Sequence, residues 1–249
     1  MSIAKRWVVK PPGDPAKADK LSASLGIAGK LANLLVQRDI DTVMAAQRFF
    51  NPRLEDLHDP FLMKDMERAV KRVVKAVRKN ESIMIYGDYD VDGTTAVALV
   101  YSFLRRLGHE ALSFYIPDRY TEGYGVSYKG IDHAKATGVS LIITLDCGIK
   151  ATEKVIYAKE QGIDFIICDH HLPGDSIPAA VAVLDPKRED CSYPFTELSG
   201  CGVGFKLVQG CADRMGIPFS EIERLLDLVV VSIASDIVPL VGENRIMAY

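Results

Sequence analysis

From Met66 onward the apolar residues follow two alternating rhythms. They recur every three to four positions over 65–79, 94–107, 127–137 and 152–161, which predicts helices. Between these lie short, nearly unbroken apolar runs at 83–87, 111–116, 141–145, 164–168 and 180–184, which predict strands. Two further helices are predicted near 202–215 and 219–235. Strands that alternate with helices of this length imply βαβ units, so the fold class is α/β, a mainly parallel sheet with helices on both faces. Residues 1–62 differ. Leu21, Leu25, Leu31, Leu34 and Leu35 recur at helical spacing, and Pro11, Pro12, Pro15, Pro52 and Pro60 punctuate the ends, so a lead-in of short helices is expected before a domain at 63–249.

Three of the predicted strands run straight into an acid: IMIYG into Asp88, SLIITL into Asp146, and DFIIC into Asp169-His170-His171. In an open parallel sheet the carboxyl ends of the strands meet at one crevice, so these acids should converge. Converging acids repel unless a cation sits among them. Asp88, Asp90 and Asp92 stand at every second position, so an extended backbone would aim all three the same way; an Asp-rich turn with a helix cap is the alternative. Gly93 permits a sharp turn, after which Thr94 or Thr95 can open the next helix. Asp236 follows a nearly continuous apolar stretch and is expected to be buried, as a ligand or as a cap. Asp and His donors without thiolate favour manganese or magnesium over zinc. So many acids suggest two ions, about 3.5–4 Å apart in sites that carry out in-line displacement at phosphorus. The residues alone therefore lead to phosphoester hydrolysis.

Composition narrows the setting. The 249 residues are 48% hydrophobic, enough for a full core, with net charge −3. The balance lacks the basic footprint of a protein that grips duplex nucleic acid by charge alone, so a polyanion would have to be bound locally. Arg68, Lys71, Arg72, Lys75, Arg78 and Lys79 offer one patch, although Met66, Val70, Val73, Val74 and Val77 share a helical face and leave those cations on the solvated side. The five cysteines form no C-x-x-C pair and are read as reduced, structural thiols. With neither a secretory signal in the opening residues nor an apolar run of membrane-spanning length, a cytoplasmic location is expected.

The segments YGDYDVDGTTA, TLDCGI, CDHH and SIASDIVPL resemble the four successive motifs of the DHH phosphoesterase superfamily, and within it the single-strand-specific DNA exonucleases. The stretches RWVVKPP, FFNPRLEDLHDPFLMKDMERAV and IPDRYTEGYGVS are similar to that group as well, so the resemblance spans the chain. It implies a Rossmann-like domain that degrades single-stranded DNA from the 5′ end and releases 5′-mononucleotides with Mn2+ or Mg2+. It also implies Asp88, Asp90, Asp146, His170 and Asp236 as metal ligands, Asp146 bridging, with His171 and Asp169 as supporting catalytic residues. Asp92 is expected to support the turn. Arg119 could contact a phosphate through its guanidinium, or could be an ordinary loop arginine. Where some two-metal relatives carry histidine, this chain has Met84, which implies a weaker first ion. The resemblance further implies a second catalytic-core domain and an oligonucleotide-binding fold beyond these residues, and single-strand-binding protein and a helicase as partners. The rival readings are a superfamily phosphodiesterase acting on short oligonucleotides or cyclic dinucleotides, and a non-catalytic DNA-binding relative.

Overall fold

The unbroken apolar runs pair side by side as one parallel sheet of β1 (Ile83–Gly87), β2 (Leu112–Tyr115), β3 (Leu141–Leu145), β4 (Asp164–Cys168) and β5 (Ala182–Leu184), in the order β2-β1-β3-β4-β5. The structure is a computed structural model that describes residues 6–249, so residues 1–5 of the expected lead-in lie outside the described residues. Every residue of β1 and β3 is buried, which is why these strands read as continuous rather than alternating apolar runs.

The chain forms two compact units, one ending at Glu55 and the other running Asp56–Tyr249. In the first, α1 (Pro15–Leu25), α2 (Gly29–Val36) and α3 (Val43–Phe50) enclose a small core of Ala18, Leu21, Ala32, Leu35 and Ala46. Asp14 caps α1 by accepting from the Ala16 and Lys17 N–H groups, and Thr42 caps α3 through Ala45. Leu31 and Leu34, part of the apolar pattern, are exposed.

The second unit holds the sheet, flanked by α4 (Met66–Arg78), α5 (Val91–Arg106), α6 (Tyr128–Ala136), α7 (Thr152–Glu160), α8 (Gly200–Met215), α9 (Leu226–Ser235) and α10 (Gly242–Ala248). Met84, Tyr86, Ile142, Phe165, Ile167 and Val183, on one side of the strands, share a core cluster with Ile131 and Ala134 of α6 and Val155 and Ala158 of α7. The opposite side meets α5 and α8: a Cβ on Gly87 would strike Val97, and one on Gly204 would press on Leu145. Helices cover both faces, as the pattern predicts.

The chain leaves β1 toward β2 on one side and returns to β3 on the other, so the order reverses between β1 and β3. That reversal opens a crevice at the carboxyl ends of these two strands, the usual ligand position in open α/β sheets. Asp88 and Asp146 stand on its two sides.

Two elements depart from the pattern. The helix expected over 219–235 is broken into single 3-10 turns at Phe219–Glu221 and Glu223–Leu225 before α9 begins. Buried Ile222 and Leu225 are three apart, a spacing that suits tight turns. The pattern also lacks α10, whose inward residues include the polar Glu243 and Asn244. Those residues reach the segment at His58, whose N–H donates to Glu243 Oε1 and whose carbonyl accepts from Lys206, which ties 56–62 to the second unit.

Candidate metal centre

Immediately after β1 the backbone stops being extended. Asp90 caps α5, its Oδ1 accepting from the Gly93 N–H at 2.9 Å, and the helix starts at Val91 rather than at Thr94. This overturns the expectation of three carboxylates aimed one way by an extended strand. Asp88 and Asp90 remain at the mouth of the sheet, while Asp92, in the first turn of α5, is buried at the edge of the site with both oxygens engaged by the neighbouring helices. Its Oδ1 accepts from the Cys201 N–H and the Ser232 hydroxyl, and its Oδ2 from the Gly200 N–H, each at 2.7 Å. One buried carboxylate thereby ties α5 to the N-terminus of α8 and to α9, where the helix dipole favours it. Gly93 lets the turn close: a Cβ there would lie 2.5–2.8 Å from the Asp88 backbone.

Asp146 follows β3 in the left-handed region, φ 59°, which Asp tolerates better than most residues. The turn swings its carboxylate toward α8, so close that a Cβ on Gly200 would lie 2.6–2.8 Å from its Cα, Cβ and Oδ1. The Tyr124 hydroxyl donates to the Asp146 carbonyl at 3.2 Å and stands 3.3 Å from the His171 ring nitrogens. Asp169, after β4, is saturated: its oxygens accept from the Ile149, His170 and His171 N–H groups, and His171 Nδ1 lies 2.8 Å from Oδ1. Burial opposes its ionisation, yet the His171 ring and these N–H donors hold it below the ordinary carboxylate range. The same contact raises the imidazole of His171, which is 44% exposed.

His170 is buried, and its Nδ1 lies 3.1 Å from the Leu198 carbonyl. A carbonyl accepts only, so Nδ1 carries the proton in the neutral ring and Nε2 presents a lone pair. That lone pair faces Asp146 Oδ1 at 3.1 Å and Asp92 Oδ2 and Asp236 Oδ2 at 3.7 Å each. Asp146 Oδ1 and His170 Nε2 are both buried and complete no hydrogen bond. Electron pairs converging on one point call for a cation, and this donor set of carboxylates and one imidazole fits a divalent ion.

Among the described residues three sets of donors each bring their ligand atoms within 4.8 Å of one another: Asp88, Asp90 and Asp146; Asp146, His170 and His171; and Asp92, His170 and Asp236. Asp146 belongs to two of them. Burial, followed by the charges of Asp92, Asp90 and Asp169, lifts Asp146 far above the ordinary carboxylate range. Burial also raises Asp88, against the pull of the Gly125 N–H. Asp236 is raised mainly by burial, with His170 opposing. Asp236 is nonetheless not the buried acid expected: its side chain is 30% exposed, because it sits just past the last turn of α9 rather than inside it.

Arg119 belongs to none of these sets. Its guanidinium lies 5.1 Å from the ring centre of Tyr89, the residue between Asp88 and Asp90. Beside His171 a cleft of about 160 Å³ is lined by Tyr124, Gly148, Lys150, Lys154 and Asp169. Sequence reasoning missed Tyr124, Leu198 and Gly200. The glycine-rich run SGCGVG was the visible signal for the last, since closely spaced glycines mark close backbone approach.

Residues 82–233 match the model of the DHH family, N-terminal domain. The single-stranded-DNA-specific exonuclease RecJ of Bacillus subtilis (strain 168) is 42% identical over 243 residues, covering 98% of this chain and 30% of that protein. The crystal structure of exonuclease RecJ bound to manganese superposes with a TM-score of 0.68 at 32% identity, over 75% of this chain and 46% of that one. RecJ of Thermus thermophilus in complex with Mn2+ gives a TM-score of 0.78 at 26% identity, over 95% and 33%. The chain spans about a third of the length of the curated relatives it matches.

Proposed function

The chain belongs to the DHH family, and we propose that it serves metal-dependent hydrolysis of phosphodiester bonds in single-stranded DNA, from the 5′ end, releasing 5′-mononucleotides. One observation carries the reading: the buried carboxylate of Asp146, whose Oδ1 has no hydrogen-bond partner, belongs to two of the donor sets able to hold a metal ion. Asp88 and Asp90 would hold one divalent ion with Asp146, and His170 and Asp236 the other with the same carboxylate. The RecJ structures with manganese support a divalent ion such as Mn2+ in this role, and Mg2+ is the alternative that the same oxygen-rich donors would accept.

Bound ions would neutralise charge developing on the phosphate and make water a better nucleophile. The chain's own residues do the rest. His171, held through Nδ1 by Asp169 and favoured in its protonated form, can give a proton to the leaving 3′ oxygen of the cleaved nucleotide. Tyr124 limits the swing of that ring and steadies the left-handed turn at Asp146. Lys150 and Lys154, lining the cleft beside His171, and Arg119 at the mouth supply cations for flanking phosphates, a local footing for a polyanion on an acidic chain.

The five cysteines are all free thiols, which supports a reducing, cytoplasmic setting. Among the described residues no helix is long and apolar enough to cross a membrane.

Digestion of 5′-labelled single-stranded DNA in Mn2+ tests the proposal, with labelled mononucleotide as the expected product. Cleavage confined to dinucleotides would replace it with a short-oligonucleotide enzyme. DNA binding without cleavage would replace it with a non-catalytic relative.

A further inference from the structure

We infer that Asn244 is the positioning residue of the His170–Asp236 cation site, fastening with one amide group the two backbone segments that hold those ligands in place; the inference rests on the metal reading above.

The Asn244 side chain is fully buried, and its Nδ2 donates to two carbonyls, Glu197 O at 2.6 Å and Pro239 O at 3.1 Å. Each carbonyl belongs to a different arm of the site. Glu197 precedes Leu198, whose carbonyl sets the tautomer of His170 and the direction of its Nε2 lone pair. Pro239 lies in the turn that begins at Asp236. That turn contains Ile237 at φ 58°, a conformation that a β-branched residue adopts only when its surroundings impose it. Short of Asn244, the turn's backbone has one closing bond of its own, from the Val241 N–H to the Pro239 carbonyl.

Asn244 is itself rigidly placed. Its neighbour Glu243, also fully buried, accepts from the His58 N–H at 2.9 Å, Lys206 Nζ at 3.1 Å and the Tyr193 hydroxyl at 2.6 Å. Lys206 is buried as well and donates a second time, to the His58 carbonyl at 2.7 Å. A hydrogen-bonded ion pair in the interior contributes less to net stability than to a unique arrangement. Here the arrangement delivers an amide nitrogen between two loops. The inward polar residues that hid α10 from a periodicity reading are the ones that connect it to the metal site. Asp88 and Asp90 are held through the turn into α5 and do not depend on this device.

Binding of Mn2+ followed by electron paramagnetic resonance tests the inference, in the wild-type chain and in Asn244→Asp, Asn244→Ala and Met247→Ala. Asp236→Asn and Asp88→Asn identify which component of the binding belongs to which donors. Asn244→Asp keeps the shape but sets carboxylate oxygens against two carbonyls. It should weaken the component lost in Asp236→Asn by about tenfold or more, the usual effect of removing a partner that orients a ligand, and change the Asp88 component by less than about twofold. Met247→Ala, which disturbs the same helix at a buried apolar position, should lower the melting temperature and leave both components unchanged. If Asn244→Asp fails to fold, Asn244→Ala is judged by the same criterion. Wild-type-like Mn2+ binding in the folded Asn244 variant, or equal weakening in it and in Met247→Ala, overturns the inference alone. A wild-type chain that binds no Mn2+ overturns the metal reading and this inference with it.

Discussion

The two ends of the central sheet treat acidic side chains in opposite ways. At the amino ends of β1 and β4, Arg72 of α4 pairs its Nη2 with Glu81 at 2.7 Å and its Nε with Asp164 at 2.6 Å. At the opposite, carboxyl end of the sheet, Asp146 and Asp236 face a histidine lone pair, and Asp88 and Asp90 crowd Asp146. Acids that serve the fold bring their counter-charge with them. Acids that crowd together around an electron-rich nitrogen raise one another's affinity for protons, and hold a charge deficit that a divalent cation fills.

Substitution at the two ends should therefore separate activity from stability. The largest effect expected is from Asp146→Asn, which tolerates the left-handed turn and removes the shared charge. Release of mononucleotides should fall by roughly 10³-fold or more, with the melting temperature unchanged or higher, since like-charge crowding is relieved. Normal turnover in this variant would remove the bridging assignment.

Arg72→Met should do the reverse. It leaves Glu81 and Asp164 without their cation and should cost about 2 kcal/mol, below the range for fully buried pairs because Asp164 is 46% exposed. Mn2+ affinity should stay within about twofold of wild type. A loss of Mn2+ binding as large as the loss of stability would mean that the two ends are not independent.

The smallest effect is a pH trend. Burial raises Asp146 and pushes Asp185 up to about 7, and the Asp169 contact raises His171. Groups whose folded pKa lies above the unfolded value stabilise fully below the unfolded pKa and lose that contribution as pH climbs through the folded one. Asp169, lowered in the fold, acts in the opposite sense, but its contribution is lost only on acidification below about pH 4. The metal-free chain should thus lose a few degrees of melting temperature between pH 5 and 8. Saturating Mn2+ should flatten the slope, because the ion takes the place of the proton at Asp146 and binds more tightly as pH rises. Parallel slopes with and without Mn2+ would place the titrating groups outside the metal site.

Much of the site was legible because its acids follow strands whose ends are marked by local pattern. The runs expected at 83–87, 141–145 and 164–168 are strands with those bounds in the structure. The acids that end them converge because the sheet is parallel. Asp92 was less legible, since its direction depends on whether the residues after Asp88 stay extended or enter a helix, and the capping bond of Asp90 decides that. Asn244 and Glu243 were not legible at all, because a short helix that buries polar residues carries no amphipathic signal.

The order of apolar runs and the acids that close them determined, from the sequence alone, an α/β sheet with a carboxylate cluster and one class of chemistry. Only the tertiary structure decided which acid braces the helices and which nitrogen of His170 faces inward. The physical reason is range. A strand ends for reasons written in its neighbouring residues, whereas the direction of a lone pair depends on a carbonyl 28 residues away in sequence, brought beside it by the packing of α8 against the sheet.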